Sequence, residues 1–421
     1  MLTVAEARAR ILEHFMPLAA ERVPLEQARG RVLAEEIRAD EDLPPFANSS
    51  MDGYAVRVAD VAFATSASPV TLRVAGDIPA GASLPPALVP GTAMRIMTGA
   101  PVPAGADAIV PVEETDDPRG ARHHSEAAPL PAAVKILKAP TPGANVRPAG
   151  QDVSRGQVVL AAGTPLRPAA LGVLAALGHP AVSVHRRPRV ALLSTGDELV
   201  RADETPRPGQ IRDANGYALA AAIEQFGGEV LRLGIARDRL DEVLDKLRQA
   251  AAAGADLILS SAGVSVGAYD VVKAAVETDG ALTFWRVKMR PGKPLAFGRV
   301  RRADGGAVPF IGLPGNPVSA LVGMEVFVRP VLLKLAGHRR FERITLEARL
   351  AEPVQADGRE TYLRVTLEPG ADGVYLAHTT GHQGSNIITS LVKADGLLIV
   401  PAGAADVPAG ARLPVWLLDA G

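Results

Sequence analysis

The chain has no cysteine among its 421 residues. That excludes disulfides, thiolate nucleophiles and Cys-ligated metal sites, and it fits a reducing compartment, so a cytoplasmic location is expected. There is no excess of either charge: 45 Lys and Arg against 46 Asp and Glu leave a net charge of −1. Nothing in that balance calls for a nucleic-acid partner. No apolar run approaches the ~20 residues of a membrane span. Met1 to Phe15 is charged throughout, without the apolar stretch of a signal peptide, so no membrane or secretory role is expected. A Walker A pattern and an HGGG-type oxyanion loop are also missing.

What is there is an ordinary globular balance, 48% hydrophobic and 22% charged, long enough for two to four domains. The organising stretch is RVALLSTGDEL, Arg189 to Leu199. Its apolar run lacks alternation, which predicts a strand buried on both faces, and it opens at once into a Gly-and-acid loop. The pattern returns in DLILSSAGVSVG (Asp256 to Gly267) and VPFIGLPGNPVSA (Val308 to Ala320). Three such strands would converge on one cleft at their carboxyl ends, where open α/β sheets bind ligands.

Around them the periodicity predicts helices 216–226, 239–252, 270–277 and 318–335. It also predicts strands 229–235, near 283–288, and 294–300. Residues 189–336 therefore read as a doubly wound, mostly parallel α/β unit. Upstream, Thr3 and Glu6 form a capping box for a helix with Val4, Ala7, Ile11 and Phe15 on one face, and a second helix is expected at 25–29. Short β-prone runs fill 54–139, and Pro168 to Leu177 reads as a helix. After Gly337 regularly spaced strands predict a small all-β domain. His123 and His124 lie in a polar stretch and read as part of a surface loop, since no cluster completes a metal site.

Gly196, Gly263, Gly267, Gly312 and Gly315 follow buried strands, with Ser260, Ser261, Ser265 and Ser319 nearby. Backbone N–H groups freed by glycine, together with hydroxyls, suit a phosphate or oxyanion. Asp197, Glu198, Asp238 and Asp270 share that rim, and carboxylates beside an anion call for a bridging divalent cation, Mg²⁺ being the economical choice. For Asp238 and Asp270 a helix N-cap is an equally good reading. Arg286, Lys288, Arg290 and Lys293 crowd FWRVKMRPGKP, where prolines hold the cations for an oxyanion. GVSVG also fits the G-x-S-x-G nucleophile elbow. A serine hydrolase is disfavoured, because several strands usually precede that serine and the downstream histidines fall in or next to the β-rich region.

The ordered set NSSMDGYAVR, RIMTGAPVP, STGDEL, GQIRDANGY, GVSVGAYD, MRPGKP and GLPGNPVSA resembles the molybdopterin molybdenumtransferase (MoeA, molybdenum insertase) family, which is similar to the C-terminal domain of gephyrin. DGRE and HQGSN extend the match across essentially the whole chain. The resemblance implies a multidomain α/β and β fold: a doubly wound molybdopterin-binding-like α/β domain (181–336), a β-rich inserted domain (46–142) and a C-terminal β-barrel (337–421). A mixed N-terminal domain would comprise 1–45 and 143–180. It implies an elongated homodimer with its site at a subunit cleft. The implied reaction is Mg²⁺-dependent insertion of molybdate into adenylylated molybdopterin with release of AMP, and a molybdopterin adenylyltransferase is the implied partner. A non-catalytic, gephyrin-like scaffold is the alternative.

By motif position, Glu198, Asp238 and Asp270 resemble the acids that serve metal binding and phosphate cleavage, with Asp238 and Asp270 as metal ligands and Asp52 as a further catalytic acid. Thr195, Gly196, Ser265, Gly267, Gly315, Asn316 and Ser319 resemble substrate-binding positions. Lys293, Pro294, Ser319, Arg359 and Ser385 resemble the molybdate side, and Arg286 and Arg290 resemble further substrate-binding positions. Thr98, Arg147 and Asp152, with Asp52, resemble contributions from other domains or the second subunit. Arg286 and Arg290 stand where relatives commonly carry lysine, which keeps the charge and changes its geometry.

Overall fold

The computed structural model describes residues 1–117, 129–261, 268–278 and 280–418, without the side chains of 268–270 and 284. The chain divides into two compact units. One comprises residues 1–35, 162–168 and 181–421, the other 36–161 and 169–180. Among the described residues no helix is long and apolar enough to cross a membrane.

The first unit is built on a six-stranded sheet. In order across the sheet the strands are Glu229–Ala236, Arg189–Thr195, Leu257–Ser261, Ala307–Leu313, Pro294–Arg301 and Gly280–Arg286. The first four run parallel; the last two pair antiparallel at one edge. Arg189–Thr195 is an interior strand, and each of its faces meets a core. Val190 and Leu192 pack with Leu219 and Ile223 of the helix Asn215–Gln225 and with Val322, Phe327 and Leu332 of the last helical segment. Ala191 and Leu193 pack on the other face with Val243 and Leu247 of Leu240–Ala252 and with Val272 of Ala268–Thr278. Alternate residues of one strand thus supply two layers of helix packing, which is why the sequence run shows no polar alternation.

The N-terminal helix, Val4–Leu12, carries the expected capping box: the Thr3 hydroxyl accepts from the Glu6 N–H, and the Glu6 carboxylate accepts from the Thr3 N–H. Val4, Ala7 and Ile11 join the larger core, and Phe15 follows them beyond the helix end. The expected helix at 25–29 is instead one 3₁₀ turn, Leu25–Gln27, entered from Pro24. The helix expected over 318–335 is interrupted: α-helix Pro317–Gly323 widens to a π turn at Met324–Val328 before Arg329–Leu335. Pro330 supplies the reason, since it has no N–H and its ring opposes the carbonyl four residues back.

The same unit ends in a barrel. Strands Glu360–Glu368, Tyr375–Thr379, Thr345–Leu350, Arg412–Leu417 and Gly396–Val400 pair in that order, and the last returns to the first. Closure leaves no open sheet edge. Met289–Arg290 adds alongside Glu360–Thr361 in parallel, tying the cation-rich turn to the barrel.

The second unit holds a five-stranded sheet ordered Ala108–Pro111, Gly53–Val56, Thr92–Ile96, Val70–Ile78 and Ala133–Ile136. Its core includes Tyr54, Val56, Leu72, Ala93, Val110 and Val134. Gly53–Val56 lies within NSSMDGYAVR, at the start of the region expected to be β-rich. A Cβ on Gly53 would stand 2.0 Å from the Val110 carbonyl oxygen, so only glycine admits that pairing. The helix Pro168–Ala176 belongs here too, buried through Leu174. His123 and His124 lie outside the described residues.

Candidate active site

The carboxyl ends of the parallel strands open into a cavity of about 550 Å³. Thr195 and Glu198 come from the first loop, Ser261 from the end of the third strand, and Gly315, Asn316 and Ser319 from the loop after Ala307–Leu313. Asn215, Asn386, Arg212 and Asp213 add to the polar lining, and Pro294 also borders it. The structure therefore brings together Thr195, Glu198, Pro294, Gly315, Asn316 and Ser319. Ser265 and Gly267 lie outside the described residues, as does the rest of the GVSVG segment. Asp270 falls in the helix Ala268–Thr278, with its side chain outside the described set.

The first loop is shaped by Gly196, whose φ is +150°. A Cβ there would lie 2.5 Å from Glu198 Oε2, so the Glu198 carboxylate folds over a residue that must lack a side chain. Asp197 Oδ1 accepts from the Asp238 N–H at 3.2 Å, and Arg237 donates to the carbonyls of Asp197 (2.8 Å) and Leu199 (3.2 Å). Asp238 is not a helix cap: Arg239 holds the N-cap position of Leu240–Ala252, without a side-chain cap bond. Asp238 Oδ1 is instead buried without a hydrogen-bond partner. Burial, and then the nearby charges of Asp197 and Glu198, push its carboxyl above the usual carboxylate range.

Unpaired buried polar atoms recur along this edge. Among the described residues, Thr195 Oγ1 and Ser260 Oγ also lack partners. Buried polar groups are ordinarily satisfied, so three unpartnered oxygens near the carboxyl ends of neighbouring strands make this end a candidate ligand site. Acceptor-rich carboxylates, one of them unpaired, fit a hard divalent cation such as Mg²⁺, which takes one or two carboxylates and completes its shell with water and phosphate oxygens. Among the described residues no three His, Asp or Glu side chains form a ready-made metal site.

The far wall is set by a hydrogen-bonded relay from the barrel. Asn316 Nδ2 donates to Ser385 Oγ at 3.0 Å, and the Val318 N–H donates to the Ser385 carbonyl at 3.0 Å. The expected position Ser385 is thus fixed against the cleft loop. Two further residues escaped the sequence reading. Asn215, inside GQIRDANGY, donates through Nδ2 to Ser261 Oγ (2.7 Å) and to the Gly315 carbonyl (2.8 Å), bracing two cleft loops at once. Arg364 is buried without a carboxylate partner. It donates to Ser390 Oγ (3.0 Å) and the Gly384 carbonyl (3.1 Å), while its N–H donates to Gln383 Oε1 (2.9 Å). Burial, with some help from Arg290, lowers its pKa to about 10, so it stays cationic at neutral pH. A buried arginine in a strand of alternating apolar residues was the available signal.

The cation turn lies alongside. A Cβ on Gly292 would be 3.6 Å from the Ser319 carbonyl. Arg286, Arg290 and Lys293 are exposed there. Pairing of Met289–Arg290 with the barrel brings Arg290 to Asp357 (3.8 Å), and Arg359 chelates the same carboxylate. Arg359 and then Arg290 hold the Asp357 carboxyl down to about 2. Asp52, Thr98, Arg147 and Asp152 belong to the second unit. There Asp52 Oδ1 accepts from the Thr98 N–H (2.7 Å) and hydroxyl (2.8 Å), and Arg147 pairs with Asn48 across a short two-stranded ribbon. Asp152 is exposed and anchored through its N–H to the Leu43 carbonyl.

Comparison with known proteins covers nearly the whole chain. Residues 2–178 match the family model for the MoeA N-terminal region (domain I and II), 191–334 that of a probable molybdopterin binding domain, and 347–418 that of the MoeA C-terminal region (domain IV). Molybdopterin molybdenumtransferase 2 of Mycobacterium tuberculosis is 42% identical over 407 residues, spanning 94% of both chains. The chain belongs to the molybdopterin molybdenumtransferase (MoeA) family. Molybdopterin molybdenumtransferase of Haemophilus influenzae is 36% identical over 419 residues, covering 99% of this chain and 98% of that protein. Two crystal structures of the molybdopterin biosynthesis MoeA protein from Pyrococcus horikoshii match 99% of this chain with a TM-score of 0.81, at 32% and 28% identity, over 99% and 100% of their own lengths. The family's doubly wound α/β domain and closed C-terminal barrel are the ones described above.

Proposed function

We propose that the chain acts in molybdenum cofactor biosynthesis, inserting molybdate into adenylylated molybdopterin and releasing AMP. The observation that carries this is the cleft itself: Thr195, Glu198, Ser261, Gly315, Asn316 and Ser319 line one cavity, Asp197 and Asp238 adjoin Glu198, and the cation turn reaches it through Pro294 and through Gly292 beside Ser319. An anhydride-linked phosphate pair needs backbone and hydroxyl donors, and the loops after two parallel strands supply them. Glu198 and Asp238 hold the side where cation-bridged phosphates would sit. Mg²⁺, when bound, neutralises phosphate charge and polarises the phosphorus towards attack by water.

On the molybdate side, Arg290, Lys293 and Arg359 offer cations on a turn braced by proline and by the barrel, so an oxyanion is met by charge without prior rearrangement. Ser319 and Ser385 supply hydroxyls beside it. On this reading Asp52, Thr98, Arg147 and Asp152 serve the reaction from the second subunit of a homodimer, and a molybdopterin adenylyltransferase hands over the substrate in the cytoplasm. The test is AMP release from adenylylated molybdopterin. It should require both molybdate and Mg²⁺ and should vanish in a Glu198→Ala/Asp270→Ala double variant. A folded double variant with wild-type turnover would end the assignment of these acids. A wild-type chain with no turnover would return the scaffold reading.

A further inference from the structure

A second charged cavity, about 320 Å³, lies at the opposite edge of the α/β sheet, where the strands begin. Arg186 and Arg187 precede the strand Arg189–Thr195, and Phe226 and Gly227 precede Glu229–Ala236, so this cavity shares no residue with the cleft at the strands' carboxyl ends. Six arginines line it. Three are matched: Arg31 by Glu21, Arg186 by Asp256 (2.6 Å) and Arg343 by Glu325 (2.7 Å). Arg29, Arg187 and Arg329 have no carboxylate within ion-pair distance among the described residues, and exposed Glu224 is the one acid in the lining. The set therefore retains about two positive charges, and a doubly charged anion would balance them.

Arg329 is the centre of this imbalance. Its Nη1 donates to the Phe341 carbonyl at 2.7 Å, and its guanidinium stands 5.7 Å from the Phe226 ring centroid, with that of Arg343 5.5 Å from the same ring. One aromatic ring thus supports two like charges, a face-on attraction for each that leaves their mutual repulsion in place. Burial, and then Arg343, lower the Arg329 pKa; burial, and then Arg329, lower that of His338, which lines the same cavity as a neutral donor or acceptor. Planar guanidinium groups converging on a polar hollow match the geometry of a phosphate.

We propose that this cavity is a second anion site, distinct from the cleft, which takes a small phosphate-bearing ligand through Arg329 and Arg187. Calorimetric titration of the full chain with inorganic phosphate, against chloride at matched ionic strength, tests it. Binding should weaken about tenfold or more in Arg329→Gln, recover partly in Arg329→Lys, and persist in Lys293→Glu, which alters only the cation turn. If Arg329→Gln fails to fold, the half-buried Arg187→Gln carries the same expectation. Wild-type phosphate affinity in the folded arginine-to-glutamine variants, loss of all binding in Lys293→Glu alone, or no phosphate binding by the wild-type chain would each overturn the proposal.

Discussion

The two edges of the central sheet solve opposite problems. At the strands' beginnings, Asp256 is almost fully satisfied: it accepts from Arg186 at 2.7 and 2.6 Å and from the Arg189 N–H at 2.8 Å. At the strands' ends, Thr195 Oγ1, Ser260 Oγ and Asp238 Oδ1 are buried without any partner, and three carboxylates crowd together. Among the described residues Asp256 is thus a fully paired carboxylate and Asp238 an unpaired one, although the cavity beside Asp256 also holds the unmatched Arg29, Arg187 and Arg329. A paired carboxylate stabilises the fold, whereas an unpaired buried one raises the energy of the free protein, which makes Asp238 a candidate for chemistry.

Substitutions can break that contrast. The largest effect is expected at the unpaired edge. Asp238→Asn should cut AMP release by about 10²–10³, a typical magnitude for removing one electrostatic group from a reacting phosphate site, while leaving the protein folded. A variant with unchanged turnover would make Asp238 a bystander. Next comes the paired edge. Asp256→Ala strands Arg186 and an N–H, and should lower unfolding free energy by about 3 kcal/mol, read by denaturant titration, with turnover per folded molecule retained. Equal losses of stability from both variants would erase the distinction between the edges.

Smaller effects sharpen the comparison. Arg364→Met removes the tether of the 383–390 segment that presents Ser385 to Asn316. Turnover should fall about tenfold, through lost positioning, at low molybdate, with recovery at high molybdate. An unchanged molybdate dependence would show that the segment holds itself. The smallest effects are those of pH. Asp238 is raised in the folded state, so its repulsion is present at neutral pH and relieved by protonation. Asp238→Asn should raise the melting temperature slightly at pH 7, and the gain should disappear as pH falls through the carboxylate range. Asp357 is the reverse. Held down to about 2 by Arg359, it contributes stability above the usual carboxylate range that is lost as pH falls from about 4 towards 2. Asp357→Asn should flatten that part of the acid limb.

Much of this was legible in the chain before any coordinates. The uncharged runs at 190–194, 257–261 and 308–313 are strands because both faces of each are covered, a condition that leaves a plain mark in composition. Thr3 and Glu6 announce the first helix in the same local way. What stayed hidden depends on distant partners. Nothing near Asn215 says that its amide spans Ser261 and Gly315, and nothing near Asp238 separates a helix cap from an orphaned acid. The β-prone reading from residue 54 covers most of the strand Gly53–Val56, but its need for glycine at position 53 comes from contact with Val110, 57 residues away. The π turn depends on Pro330 but appears upstream of it, so a reading by apolar period ran straight through.

The parallel ribbon between Met289–Arg290 and the barrel's strand Glu360–Glu368 also bears on how such a chain can be divided. That strand holds the barrel closed on one side and anchors the basic turn on the other, and Arg359 sits at its head. A truncation that removes the barrel would therefore take Arg359 away and release Arg290 from its register. The barrel is not an appendage that gene fusion could exchange freely, since the basic turn would lose its anchor with it.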